Sequence, residues 1–102
     1  MTPDPATLRR LTDLVETRRD ALPAIDVNDR ASYARHREAA LQVFKDLEKE
    51  GARWRNDFDF AGARLSLGGV TATSTMGPAM AMANWLVGAR RRIRELQAGE
   101  RA

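Results

Sequence analysis

The chain has no cysteine. That absence excludes disulfides, thiolate zinc sites and cysteine nucleophiles together, and it suits a reducing interior. His36 is its one histidine, so no histidine cluster is available to hold a metal. Aromatic side chains are few: Tyr33, Phe44, Trp54, Phe58, Phe60 and Trp85. A chain of 102 residues with so few large anchors builds one modest core. The start, MTPDPATLRR, lacks the apolar stretch of a secretory signal. The longest apolar-rich stretch, Met76 to Ala89, falls short of the roughly 20 residues of a spanning helix and contains Gly77, Pro78, Asn84 and Gly88. A single soluble domain, 1–102, with no membrane contact and a cytoplasmic location is therefore expected.

Catalytic patterns are missing as well. There is no glycine-rich phosphate loop ending in Lys-Ser/Thr, no Ser–His–Asp set and no zinc-ligand spacing. Asp57 and Asp59 would point the same way on a strand and could pair as acid and base or hold a cation, but nothing else converges on them. The expectation is a protein without catalytic activity, cofactor or metal.

What the chain does have is arginine, fifteen against two lysines. A GC-rich genome produces that bias. So does phosphate recognition, because the guanidinium fork matches phosphate oxygens. The net charge of +3 is uneven. Residues 1–50 carry nine basic against ten acidic side chains, whereas residues 76–102 carry five against two. Four of those five crowd together as Arg90, Arg91, Arg92 and Arg94. The helix macrodipole and an Arg91–Glu95 pair would account for one or two of them. As a unit they form a candidate nucleic-acid-binding band. Arg53 and Arg55 flank Trp54 in a second basic patch, where the indole either packs into the core or stacks on a base.

The periodicity predicts mainly α structure. An N-terminal helix over 4–22 starts at Asp4-Pro5 and carries a thin stripe of Leu8, Leu11, Val15, Leu22 and Ile25, interrupted by Arg18, before Pro23. A second helix over 29–50 follows Asn28 or Asp29 as N-cap, with Gly51 as a left-handed C-cap. Tyr33, Arg37, Ala40, Phe44 and Leu47 line its inner face. Residues 57–73 form a β-hairpin or an ordered loop. Phe58 and Phe60 alternate with acidic residues, Leu65 and Leu67 alternate with Arg64 and Ser66, and Gly68-Gly69 turns the chain. A third helix over 75–97 follows Ser74 or Thr75, with Pro78 in its first turn and Gly99 past its end. The architecture expected is a helical hairpin with a short β-hairpin or irregular connection between its two long helices, plus an N-terminal helix.

The third helix is unusual in being apolar on more than one face from Met76 to Ala89. A helix apolar all round is covered all round. Either a second chain supplies the cover, making Met80, Met82, Ala83, Trp85, Leu86 and Ala89 an oligomer interface, or the other elements of one chain wrap it.

A helix with an early Tyr33, ending in Leu47 and Gly51, precedes a short connection, then Gly77-Pro78 starts a second long helix with basic residues. This layout, from Ser32 to Leu96, resembles the small terminase subunits of tailed phages and related gene-transfer particles. In that family antiparallel helices form a ring that engages double-stranded viral DNA and hands it to the large terminase, an ATPase–nuclease. Many members carry an N-terminal helix-turn-helix domain, and the roughly thirty residues ahead of the second helix do not accommodate one. The resemblance thus implies a homo-oligomeric DNA-packaging adaptor with weak, non-specific contact through Arg90, Arg91, Arg92 and Arg94. Val70-Thr71-Ala72-Thr73-Ser74 leading into a helix resembles phage head-completion proteins, which implies a connector that binds other structural subunits of a virion. A small dimeric DNA-binding regulator or antitoxin is the further alternative.

Overall fold

A computed structural model describes residues 4–57 and 62–101 of the chain. Three α-helices and a three-stranded antiparallel sheet appear in the order α1 (Pro5–Asp20), α2 (Arg30–Leu47), β1 (Arg53–Asp57), β2 (Gly62–Leu67), β3 (Val70–Ser74) and α3 (Pro78–Arg101). The protein is mainly α, with the hairpin between its second and third helices.

Local chemistry sets most boundaries. Asp4 caps α1 by accepting from Thr7 N at 2.7 Å, and Pro5 takes the first helical position. The helix stops at Asp20 rather than Leu22, because Pro23 disfavours helical backbone at the residue before it. Asp29 caps α2. After Leu47 the helix tightens into a 3-10 turn, Glu48–Glu50, which Gly51 ends at φ 88°. Gly68 and Gly69, at φ 60° and 77°, make the two-residue turn between β2 and β3, where both positions need positive φ.

Two boundaries of α3 differ from expectation. Gly77, at φ 99°, holds the N-cap position, and its carbonyl accepts from Ala81 N at 3.1 Å. Ser74 instead closes the preceding turn by accepting from Met76 N at 2.9 Å. The helix also runs through Gly99 to Arg101, since one glycine costs a helix only about 1 kcal/mol. The hairpin was expected from residue 57, but the sheet begins at Arg53 and has a third strand. The Phe58 and Phe60 alternation lies outside the described residues.

The core surrounds α3. The hairpin β2–β3 lies against it with Ala63, Leu65 and Leu67 inward. Trp85 is wholly buried there, and its indole N–H donates to Leu67 O at 3.0 Å and Val70 O at 3.2 Å. On another side α1 lays Leu8, Leu11 and Val15 along α3, all buried. Its C-terminal end sits at the start of α3, where Arg19 Nε donates to Ala79 O at 3.1 Å, so the two helices run antiparallel. Arg18, which breaks the apolar stripe, pairs with Asp46 of α2. Through Ala40, Val43, Phe44 and Leu47, α2 closes the remaining side, and Phe44 meets Trp54 of β1 at a ring-centroid distance of 5.7 Å.

These contacts correct the interface expected on α3. Met82, Trp85 and Ala89 have no exposed surface and Leu86 is 5% exposed, all within one chain. The sheet, α1 and α2 together enclose the arc that a lone hairpin and a thin helix would have left open. Of the expected interface residues, Met80 is 40% exposed and Ala83 is partly exposed. The inner face of α2 is also shorter than expected, beginning at Ala40; Tyr33 and Arg37 are exposed. Ser32 is buried in their place, accepting from Asp26 N at 2.9 Å and donating to Asp29 O at 2.7 Å. Among the described residues no helix is long and apolar enough to cross a membrane.

Candidate nucleic-acid interface

The arginines singled out in the sequence fall in two places. On α3, Arg90 pairs with Glu16 of α1, and Arg92 Nη1 lies 3.4 Å from Glu95 Oε2. Glu95 thus turns to Arg92 and not to Arg91. Arg91 and Arg94 are exposed and have no ion pair among the described residues. The expected band of four is half neutralised.

The sheet concentrates charge differently. Side chains alternate along a strand, so one face of β2 buries Ala63, Leu65 and Leu67 while the other presents Arg64 and Ser66. Arg53 and Arg55 are exposed on β1, in the same alternation. Pairing places Arg53, Ser66 and Thr71 in one cross-strand row, and Arg55, Arg64 and Thr73 in another. The outer face therefore carries three arginines in two adjacent cross-strand rows, bordered by hydroxyls. Ser66 Oγ and Thr71 Oγ1 share a hydrogen bond of 2.7 Å. Neither Arg53, Arg55 nor Arg64 has an ion pair among the described residues. Asp57, opposite Gly62, is the one carboxylate that the described strand residues place on this face. Arg55, Asp57, Gly62, Arg64 and Thr73 line an open hollow of about 380 Å³ at the end of the sheet.

Arginines placed directly opposite one another destabilise a sheet by about 0.2–1 kcal/mol. An anion lying across Arg55 and Arg64 would reverse that sign. The geometry suits a phosphodiester, since guanidinium groups match phosphate oxygens and the threonine hydroxyls add further hydrogen bonds.

In the sequence Arg64 reads as the polar half of an alternation and, with Arg55 and Asn56, as a polar neighbour of Asp57 and Asp59. Its strand register, which sets it beside Arg55, is what makes it a site residue. Trp54 does not join the site: it is half-buried on the opposite face against Phe44, and its indole N–H donates to Glu48 Oε1 at 2.7 Å. That favours packing over base stacking.

His36 and Asp46 serve the fold. His36 Nδ1 lies 2.9 Å from Pro23 O and ties the linker after α1 to α2. The Asp46 carboxyl is held below its ordinary pKa by the Arg18 hydrogen bond first and by Gln42 second. Among the described residues no group of three or more His, Asp or Glu side chains is placed to hold a metal ion. Comparison with protein-family models, with curated proteins and with solved structures finds no match to the chain.

Proposed function

We propose that this chain is a non-enzymatic assembly adaptor of a phage-like particle that contacts nucleic-acid phosphates through arginine surfaces. The observation that carries this reading is the outer sheet face, where the exposed Arg53, Arg55 and Arg64 share two adjacent rows without a compensating ion pair among the described residues. Arg91 and Arg94 add a second, smaller cationic surface on α3. Binding would be weak and indifferent to sequence, because such contacts read phosphates and not base edges. The small-terminase resemblance favours double-stranded DNA as the nucleic acid and a large terminase as the protein served.

The head-completion reading draws on a different observation. The hairpin ends in Val70–Ser74 and leads at once into α3, with α1 antiparallel along that helix. This arrangement fits the step from hairpin to helix on which the second resemblance rests.

The test is the salt dependence of duplex binding, followed by fluorescence anisotropy on a labelled random duplex. Each phosphate neutralised contributes a slope of about −0.9 in log K against log salt, so loss of three contacts should flatten the slope by about 2.7. R53A/R55A/R64A should show that change uniformly across sequences, and R91A/R94A a smaller one. Unchanged binding by the triple variant at every salt concentration would remove the sheet face from the proposal.

A further inference from the structure

We infer that the groove at the start of α3 docks an acidic, amphipathic segment of a partner protein. It lies between the linker after α1, the first turns of α2 and the first turn of α3, with a volume of about 480 Å³. That is enough for one or two large side chains. Four large apolar groups converge there with much of their surface in solvent: Ile25 (44% exposed), Tyr33 (42%), Met76 (77%) and Met80 (40%). Isolated exposed apolar residues are ordinary; here four of them gather around one concavity.

The charge around it selects the occupant. Arg19 and Arg37 line the groove, and among the described residues no carboxylate does. Because Arg19 Nε is spent on Ala79 O, its guanidinium is fixed at the rim with both terminal nitrogens unpartnered among the described residues. Arg37 is exposed and has no ion pair among the described residues. The N-terminal end of α3, with its partial positive charge, opens onto the same space. The linker's own carboxylates are turned to local work: Asp26 accepts from Asn28 N at 2.9 Å, and Asp29 caps α2 and pairs with Arg35. A segment with a large aliphatic or aromatic side chain close to a carboxylate would fill the apolar floor and engage the Arg19 fork bidentately.

A second copy is a poorer occupant. A two-fold contact places the same patch on both subunits, setting Arg19 and Arg37 against their own symmetry mates. A phosphate backbone would match the arginines but leave the apolar groups uncovered. The groove does not share residues with the sheet face, so an adaptor could hold both partners at once.

The probe is a fluorescein-labelled amphipathic peptide with leucine on one helical face and glutamate on the other. It should bind the full chain and perturb the amides of Ile25, Tyr33, Met76 and Met80 in an NMR titration. Peptides with lysine for glutamate, or serine for leucine, should bind at least tenfold more weakly. Arg37→Glu and Met80→Asp should each weaken the glutamate–leucine peptide at least tenfold while leaving thermal unfolding and the salt slope of duplex binding unchanged. Equal binding of the lysine peptide overturns the inference, as does no saturable binding at millimolar peptide. Competition by duplex DNA would make the groove part of the nucleic-acid surface. A dimer that Met80→Asp converts to monomer would show the groove already covered by a second copy.

Discussion

Trp85→Phe tests whether the centre of α3 is the core of one chain. The indole N–H is shared between Leu67 O and Val70 O, which bracket the Gly68-Gly69 turn, so a single donor fastens the mouth of the hairpin to the helix. Phenylalanine removes that donor and shrinks the two-ring indole to a single ring. The hydrogen bond contributes about 1 kcal/mol net, and a buried acceptor left without a partner costs about 1–3 kcal/mol. Shrinking the ring leaves a void of roughly 40 Å³, worth about 1 kcal/mol at ~24 cal/mol per Å³. Allowing for overlap among these contributions, the loss should be about 2–4 kcal/mol. For a domain of this size that lowers the melting temperature by on the order of 10–25 °C. Guanidinium unfolding followed by far-UV circular dichroism, repeated over a wide range of protein concentration, is the assay. A core residue gives a midpoint shift independent of concentration; an interface residue gives one that grows as the protein is diluted. A shift under about 0.5 kcal/mol, or one that depends on concentration, would refute the reasoning.

Glycine substitutions should go in opposite directions at two sites. Gly77→Ala, forced to keep a φ of 99°, should cost about 1–2 kcal/mol, whereas Gly99→Ala in the open helix end should gain about 0.5–1 kcal/mol; equal signs in thermal melts would contradict the backbone assignment. Arg64→Thr should stabilise the isolated protein by about 0.2–1 kcal/mol at low salt, by relieving its opposition to Arg55, while weakening duplex binding. Loss of both stability and binding would mark Arg64 as structural. Since Asp46 has a depressed folded pKa, its contribution is present above the unfolded value and lost as pH falls through the folded one, below about pH 4. Arg18→Ala should raise the Asp46 pKa in a carboxyl-carbon NMR titration, and an unmoved titration would exclude Arg18 as the cause.

Features encoded by neighbouring residues are legible in the chain itself. The Asp4-Pro5 start, the Asp29 cap, the Gly51 stop and the Gly68-Gly69 turn each rest on local backbone preferences. Features encoded by distant residues are not. Arg-Trp-Arg at 53–55 reads as a basic patch because its alternation is of charge against one aromatic; β2 had to lie beside it before it read as a strand. The buried positions of α3, from Ala81 and Met82 through Trp85 and Leu86 to Ala89, show how wide an arc must be covered. They do not show that the same polypeptide supplies the cover from three directions. Tyr33 follows the apolar period of α2, but the first turns of that helix lie past the end of the core. The pairing of Arg55 with Arg64 depends on register, which single-strand periodicity leaves open.

The antiparallel docking of α1 on α3 has a cost in time. The hairpin and α3 follow one another directly, and the Trp85 hydrogen bonds span only 15 and 18 residues. The contact between Arg19 and Ala79 spans 60. During synthesis at about 5–20 residues per second, the first helix must therefore wait roughly 3–12 seconds for the surface it is built to meet. Throughout that interval Leu8, Leu11 and Val15 are a greasy strip on a nascent polypeptide without its native cover, and a chaperone that shields such strips would act on this protein while it is still on the ribosome.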